Sequence, residues 1–353
     1  MMIRRVRDSQ KQRQCMAALL FALLMACPGA VADDPSKEAT TGQVTVAVAT
    51  KELAKRDAIP KNNPLTKERI ALGKRLFFDP ILSKDNSIAC ASCHQPDHGF
   101  ADKTTLSKGI KGQLGLRNAP SLMNRALGKS QFWDGRAATL EDQSLQPIQN
   151  PKEMGHDLES LIATLRKDKK YVSEFAAAFA SDASTDSDDE FVNALNLSYA
   201  LASFQRTLLD LDSPVDRFQS GKYKALSDQQ RQGLWIFESR GHCWKCHSGV
   251  NYSDEQFHNL GIANQSGTQD LGRFDVTKKL EDRGKFKTPT LRGVANTAPY
   301  MHNGSLPTLE SVVEFYNEGG GHDDAGIDDK IQPLGLSETE VQQLIAFLKA
   351  LSL

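Results

Sequence analysis

The chain has 353 residues, 25% of them charged, and a formal net charge of −1. That length suits two modest domains or one large one. The balanced charge leaves no electrostatic footprint for nucleic acid, and the composition is that of an ordinary folded protein.

Residues 1–32 read as an export leader. Arg4, Arg5, Arg7, Lys11 and Arg13 form a positive start, and Met16 to Ala26 is an apolar run too short to anchor in a bilayer. Ala30-Val31-Ala32 is a small-x-small cleavage site, which predicts a mature, periplasmic chain from about Asp33. A rival reading takes Leu24-Met25-Ala26-Cys27 as a lipoprotein cleavage site. No later stretch is long and apolar enough for a transmembrane helix. Residues 33–60 are polar and read as a flexible lead.

A helix is predicted from Thr66, after Pro64, to about Phe78, where Pro80 stops it. A middle helix is predicted over Phe191 to Leu209, after the acidic, small-residue loop Ser181 to Glu190. Asp210 to Leu226, with Pro214 and Gly221, is the best domain boundary. The next helix starts at Ser227, with Gln230 completing a capping box. The last starts at Ser337 with Glu340, and Val341, Leu344, Ile345 and Leu348 form its apolar stripe. No stretch alternates like a sheet-forming series.

Cys15 and Cys27 fall in the leader. The other four cysteines are Cys90-Ala91-Ser92-Cys93-His94 and Cys243-Trp244-Lys245-Cys246-His247. Each is the attachment pattern of a c-type haem. Two thiols add across the two vinyl groups of one porphyrin, and the adjacent histidine offers its imidazole to the iron. A zinc site would need two more soft ligands at each motif, and no mature thiols remain. Gly73 with Leu76-Phe77 and Gly233 with Ile236-Phe237 precede the two motifs in parallel. This weak repeat predicts a mostly α-helical protein of two tandem cytochrome c-like domains, 61–212 and 213–353, each with one covalent haem c. A small cytochrome c unit needs its C-terminal helix packed on an N-terminal one; packing of the last helix back on the first domain is the alternative.

Four further blocks carry a family resemblance: Leu72-Gly73-Lys74-Arg75-Leu76-Phe77-Phe78-Asp79, Arg117-Asn118-Ala119-Pro120, Phe132-Trp133-Asp134-Gly135-Arg136 and Thr297-Ala298-Pro299-Tyr300-Met301-His302. Together and in this order around two haem motifs, they resemble the bacterial di-haem cytochrome c peroxidase superfamily from about Lys67 onward. The resemblance implies reaction with hydrogen peroxide and a tryptophan between the haems, at Trp133. It implies one calcium ion, held by Asn118 and the backbone carbonyls of Thr297 and Pro299. It implies a distal glutamate at Glu153, with Gln143 and Pro147 lining the same pocket. His302 is expected to orient a propionate or loop, and His156, His258 and His322 to be structural or exposed.

Two departures from the usual pattern are present. Typical members place a histidine, the sixth ligand of the first iron, in the region that here reads Leu106-Ser107-Lys108-Gly109-Ile110-Lys111-Gly112. His98 is too near His94 to reach the opposite haem face. Typical members also place a methionine ligand of the second haem where this chain has Tyr316. A phenolate is a hard donor that favours ferric iron. Both departures resemble the MauG-like branch, which implies that the haems share the oxidising equivalents of peroxide and oxidise residues of a partner protein. Two alternatives stay open: a peroxidase fed by small electron-donor proteins, and a non-catalytic electron-transfer cytochrome.

Overall fold

The computed structural model describes residues 45–182, 187–262, 270–321 and 326–353. The export leader with Cys15 and Cys27, part of the acidic loop, and His322 lie outside the described residues. In chain order the helices are α1 Val46–Ala54, α2 Lys67–Phe78, α3 Cys90–Cys93, α4 Leu140–Gln149, α5 Leu158–Lys167, α6 Lys169–Phe179, α7 Ala194–Gln205, α8 Pro214–Gln219, α9 Asp228–Glu238, α10 Phe274–Thr277, α11 Leu309–Asn317 and α12 Glu338–Lys349. The strands are β1 Phe257–His258 and β2 Phe286–Lys287, an antiparallel pair in which Phe257 faces Lys287 and His258 faces Phe286.

The predicted starts of three helices hold because each is a local bond. Thr66 accepts from Arg69 N at 3.2 Å. Ser227 with Gln230, and Ser337 with Glu340, close reciprocal capping boxes. The middle helix is shorter than Phe191 to Leu209: Asn193 caps it, and it ends at Gln205. The boundary stretch Asp210 to Leu226 is not bare linker, since it carries α8 with its own Ser213–Asp216 capping box.

α2 crosses α7 at Gly73, where a Cβ would lie 1.9 Å from Ala200 O. α9 crosses α12 at Gly233, where a Cβ would lie 1.9 Å from Gln343 O. The same device therefore seats a long helix against its partner in each half. It also seats the C-terminal helix on α9 and α11 in its own half, the packing a small cytochrome c unit needs. Leu76, Phe77, Phe175, Leu197 and Phe204 centre one apolar core, which runs on to Leu208. Ile236, Phe237, Val313, Leu344 and Phe347 centre another, which starts at Val215. Gly233→Ala should lower stability by about 1–3 kcal/mol through overpacking against backbone. That loss outweighs the ~1 kcal/mol of helix propensity that alanine gains. A urea midpoint equal to that of the parent would show that the crossing can relax.

The expected flexible lead needs a correction. Within it, α1 is capped by Thr45 and buries Ala49 and Leu53 against Leu209. Ala49 and Leu53 are four residues apart, one turn along a helix face, a short signal in an otherwise polar stretch.

Candidate active site

One cavity of about 800 Å³ is lined by both cysteine–histidine motifs, Trp133, Gln143, Pro147, Glu153, Tyr316, Asn118, Thr297 and Pro299. The haem-motif, peroxide-pocket and calcium candidates therefore face one space. None of these four cysteines is joined in a disulfide. Burial pushes Cys90 and Cys243 up to about 12 and Cys93 to about 11. A reactive redox thiolate needs the opposite shift.

The two histidines are prepared alike. His94 Nδ1 lies 3.0 Å from Phe100 O, and His247 Nδ1 lies 2.9 Å from Tyr252 O. Burial lowers both pKa values, which favours neutral rings. A neutral ring that donates from Nδ1 has its Nε2 lone pair for a metal. Thiols beside such a histidine in an apolar cavity fit a covalently held haem at each motif.

On one side of the first motif stands α4. Thr139 caps it, accepting from Asp142 N at 3.0 Å. Gln143 and Pro147 project from it into the cavity. Beyond its end a tight turn returns Glu153, whose Oε1 accepts from Asn150 Nδ2 at 2.6 Å. Burial raises the Glu153 pKa, while Arg136 and Asn150 oppose the rise. The loop that lacks the usual histidine is pressed onto this turn. Ile110 N donates to Glu153 O at 2.8 Å, and a Cβ on Gly109 would lie 2.0 Å from Lys152 O. Lys108 in that loop is exposed and lies outside the cavity lining. His98 is tied to Ala298 O and also lies outside it.

Trp133 is fastened from both halves. Its Nε1–H donates to Asn118 O at 2.8 Å, and its carbonyl accepts from Lys287 N at 2.7 Å. Arg117 braces the same region, pairing with Asp134 at 2.6 Å and with both oxygens of Asp270 at 2.6 and 2.8 Å. His302 stacks on Phe286 with centroids 3.5 Å apart, and burial lowers its pKa to about 4. Its Nε2 is buried without a hydrogen-bond partner, and its carbonyl accepts from Asn118 N. Asn118 Nδ2 donates to Thr104 O at 3.0 Å.

Tyr316 sits in the last turn of α11, whose start is fixed by a Thr308–Ser311 capping box. Its hydroxyl makes no hydrogen bond among the described residues. Burial, with Cys243 and Cys246 nearby, pushes its phenol well above the usual range. His258 is not a rival ligand: Nδ1 meets Asp328 at 2.5 Å and Nε2 meets Asp254 at 2.9 Å. It is buried and structural, and these carboxylates raise its pKa to about 10.

Residues 67–224 match the family model for di-haem cytochrome c peroxidase, and 285–316 match a RoxA-like, cytochrome c-like model. The chain is 38% identical to the methylamine utilization protein MauG of Methylorubrum extorquens, over 83% of this chain and 80% of that one. It belongs to the di-haem cytochrome c peroxidase family. Like others of the family it is a haem-dependent oxidoreductase with two cytochrome c-like domains and two haem c groups. It is also 34% identical to cytochrome c551 peroxidase of Pseudomonas aeruginosa, over 83% of this chain and 81% of that one. Among solved structures it is similar to a MauG-like protein associated with microbial copper homeostasis. That match has a TM-score of 0.75 and 32% identity, and covers 83% of this chain and 92% of that one. No helix of the described residues is long and apolar enough to cross a membrane.

Sequence reasoning missed a buried charged group in which Arg125 and Lys287 line this cavity and Glu255 pairs with both. They lie far apart in the chain with no spacing to announce them. It also passed over Gly109, whose only signal is a glycine in the altered loop.

Proposed function

We propose that this chain is a periplasmic di-haem enzyme that reacts with hydrogen peroxide at its first haem, bound to Cys90, Cys93 and His94. It then uses the oxidising equivalents on residues of a partner protein. The observation that carries this reading is Tyr316, a cavity-lining phenol with no hydrogen-bond partner, beside Cys243 and Cys246. When bound, haem would supply the iron chemistry that reacts with peroxide and stores its oxidising equivalents.

The chain's own residues divide the remaining work. Splitting peroxide moves a proton from one oxygen to the other, and Glu153 is the carboxyl group placed to carry it. Its raised pKa keeps a protonated population available, and Asn150 holds the carboxylate when the proton is away. Gln143 orients the oxygens by hydrogen bonding, and Pro147 shapes the pocket wall. Trp133, tied to backbone of both halves, relays charge between the two sites. Tyr316, which lines the cavity beside Cys243 and Cys246, would hold the second haem together with His247. A ferric iron there would favour its phenolate, because the metal charge would outweigh the cost of a buried anion.

Calcium belongs to the same proposal. Asn118 Oδ1 and the carbonyls of Thr297 and Pro299 accept no hydrogen bond among the described residues, and all three residues line the cavity. Three oxygens without donors suit a hard cation.

A second reading, removal of peroxide with electrons from small donor proteins, draws on the 34% identity to cytochrome c551 peroxidase. Resting reactivity separates the two. The fully ferric protein should show one high-spin haem by electron paramagnetic resonance and consume stoichiometric peroxide without prior reduction. Two low-spin haems, with a demand for one-electron reduction first, would favour the donor-fed peroxidase.

A further inference from the structure

On the cavity wall beside Trp133, two cations share one carboxylate. Arg125 grips Glu255 with both forks, at 2.9 and 3.1 Å, and Glu255 also accepts from Lys129 N at 3.2 Å. Glu255 is therefore saturated. Lys287 lies 3.7 Å from it, too far for a hydrogen bond. The Lys287 ammonium has three donors and one short contact, to Ser130 O at 2.5 Å. It is 6% exposed and lines the cavity.

Two buried cations thus share one carboxylate, and the other anion that acts on Lys287, Asp134, is already paired with Arg117 and Arg136, so Lys287 is under-compensated, which is costly for a buried charge. Burial, with Arg125 close by, pushes the Lys287 pKa down to about 7. The ligand it is short of is an anion, and the space it faces is the one that holds the haems. Its position decides which haem. β2 pairs with β1, Thr288 N donates to Gln256 O at 2.9 Å, and Thr290 Oγ1 donates to Asn251 O at 2.7 Å. All of these bonds tie Lys287's strand to the loop that follows His247.

We infer that Lys287 is a positioning residue that binds a propionate carboxylate of the second haem, the one held by Cys243, Cys246 and His247. The pairing completes the Arg125–Glu255–Lys287 group and fixes that edge of the porphyrin beside the Trp133 backbone. A cation there also favours the ferrous state of the haem.

The test uses the holoprotein and two readouts besides turnover: the propionate bending bands in resonance Raman spectra and the two midpoint potentials. The haems are told apart by their separate potentials and spin-state marker bands. Lys287→Met should leave both haems attached, shift a propionate band of the second haem and lower its potential. Lys287→Arg should restore both. Lys287→Gln, which keeps a donor and drops the charge, serves with the same readouts if the methionine variant does not accumulate. Band and potential both unmoved would overturn the inference. So would a lower potential with an unmoved band, which makes Lys287 a distant charge only, or shifts confined to the first haem.

Discussion

Glu153→Gln is expected to slow the reaction with hydrogen peroxide about 10²–10⁴-fold, the usual loss when a positioned general acid–base group is removed. Glutamine keeps the size and the hydrogen bond to Asn150 but cannot take or release a proton. Haem loading and far-ultraviolet dichroism should stay unchanged, since Glu153 holds its neighbours mainly through its backbone, by the Ile110 N–Glu153 O bond. The pH profile gives an independent check. Burial raises the Glu153 pKa, so the ionised form that accepts the peroxide proton grows in only above the ordinary carboxylate range. The parent rate should rise with pH through that raised pKa, and the rise should vanish in the variant. A stopped-flow rate within a few fold of the parent would leave Glu153 as a wall residue with no part in proton transfer.

Tyr316→Met should abolish oxidation of a protein partner and raise the potential of the second haem. A thioether replaces a phenolate there, and the loss of an anionic donor favours ferrous over ferric iron. The first site is untouched by the change. Slow one-electron turnover with a small reductant should therefore survive, which distinguishes this outcome from misfolding. Resonance Raman spectra of the parent should carry iron–tyrosinate bands that the variant lacks. Their absence from the parent would mean that Tyr316 only packs. Met301, which also lines the cavity, would then be the ligand to test, because His258 has both ring nitrogens engaged by aspartates.

How much of this was legible in the chain depends on the range of each interaction. Caps at Thr66, Ser227 and Ser337 were readable because a side chain bonds backbone three residues away. The haem motifs were readable because covalent attachment demands a fixed local spacing. Partner choice was not. Gly233 stood out as half of a repeat, yet nothing local says that Gln343 comes to rest against it, so the half that receives the C-terminal helix stayed open. α1 was missed because its apolar residues, Val46 to Ala49 and Leu53 to Ala54, were averaged into the polar lead around them. The group built from Arg125, Glu255 and Lys287 was invisible for the same reason as Gly233: its members meet only once the two halves are assembled.

The two bonds that hold Trp133 have a mechanical consequence. One anchor, Asn118 O, belongs to the first half, and the other, Lys287 N, to the second, at 2.8 and 2.7 Å. A shift of the halves by much less than the length of a side chain breaks one of them, because hydrogen bonds weaken steeply with stretch. Charge transfer falls off exponentially with gap, so a relay through Trp133, as proposed above, would be most sensitive to that shift. Trp133 would then act as a strain gauge set into the wire. A partner that pries the halves apart on docking would silence the relay without touching either iron.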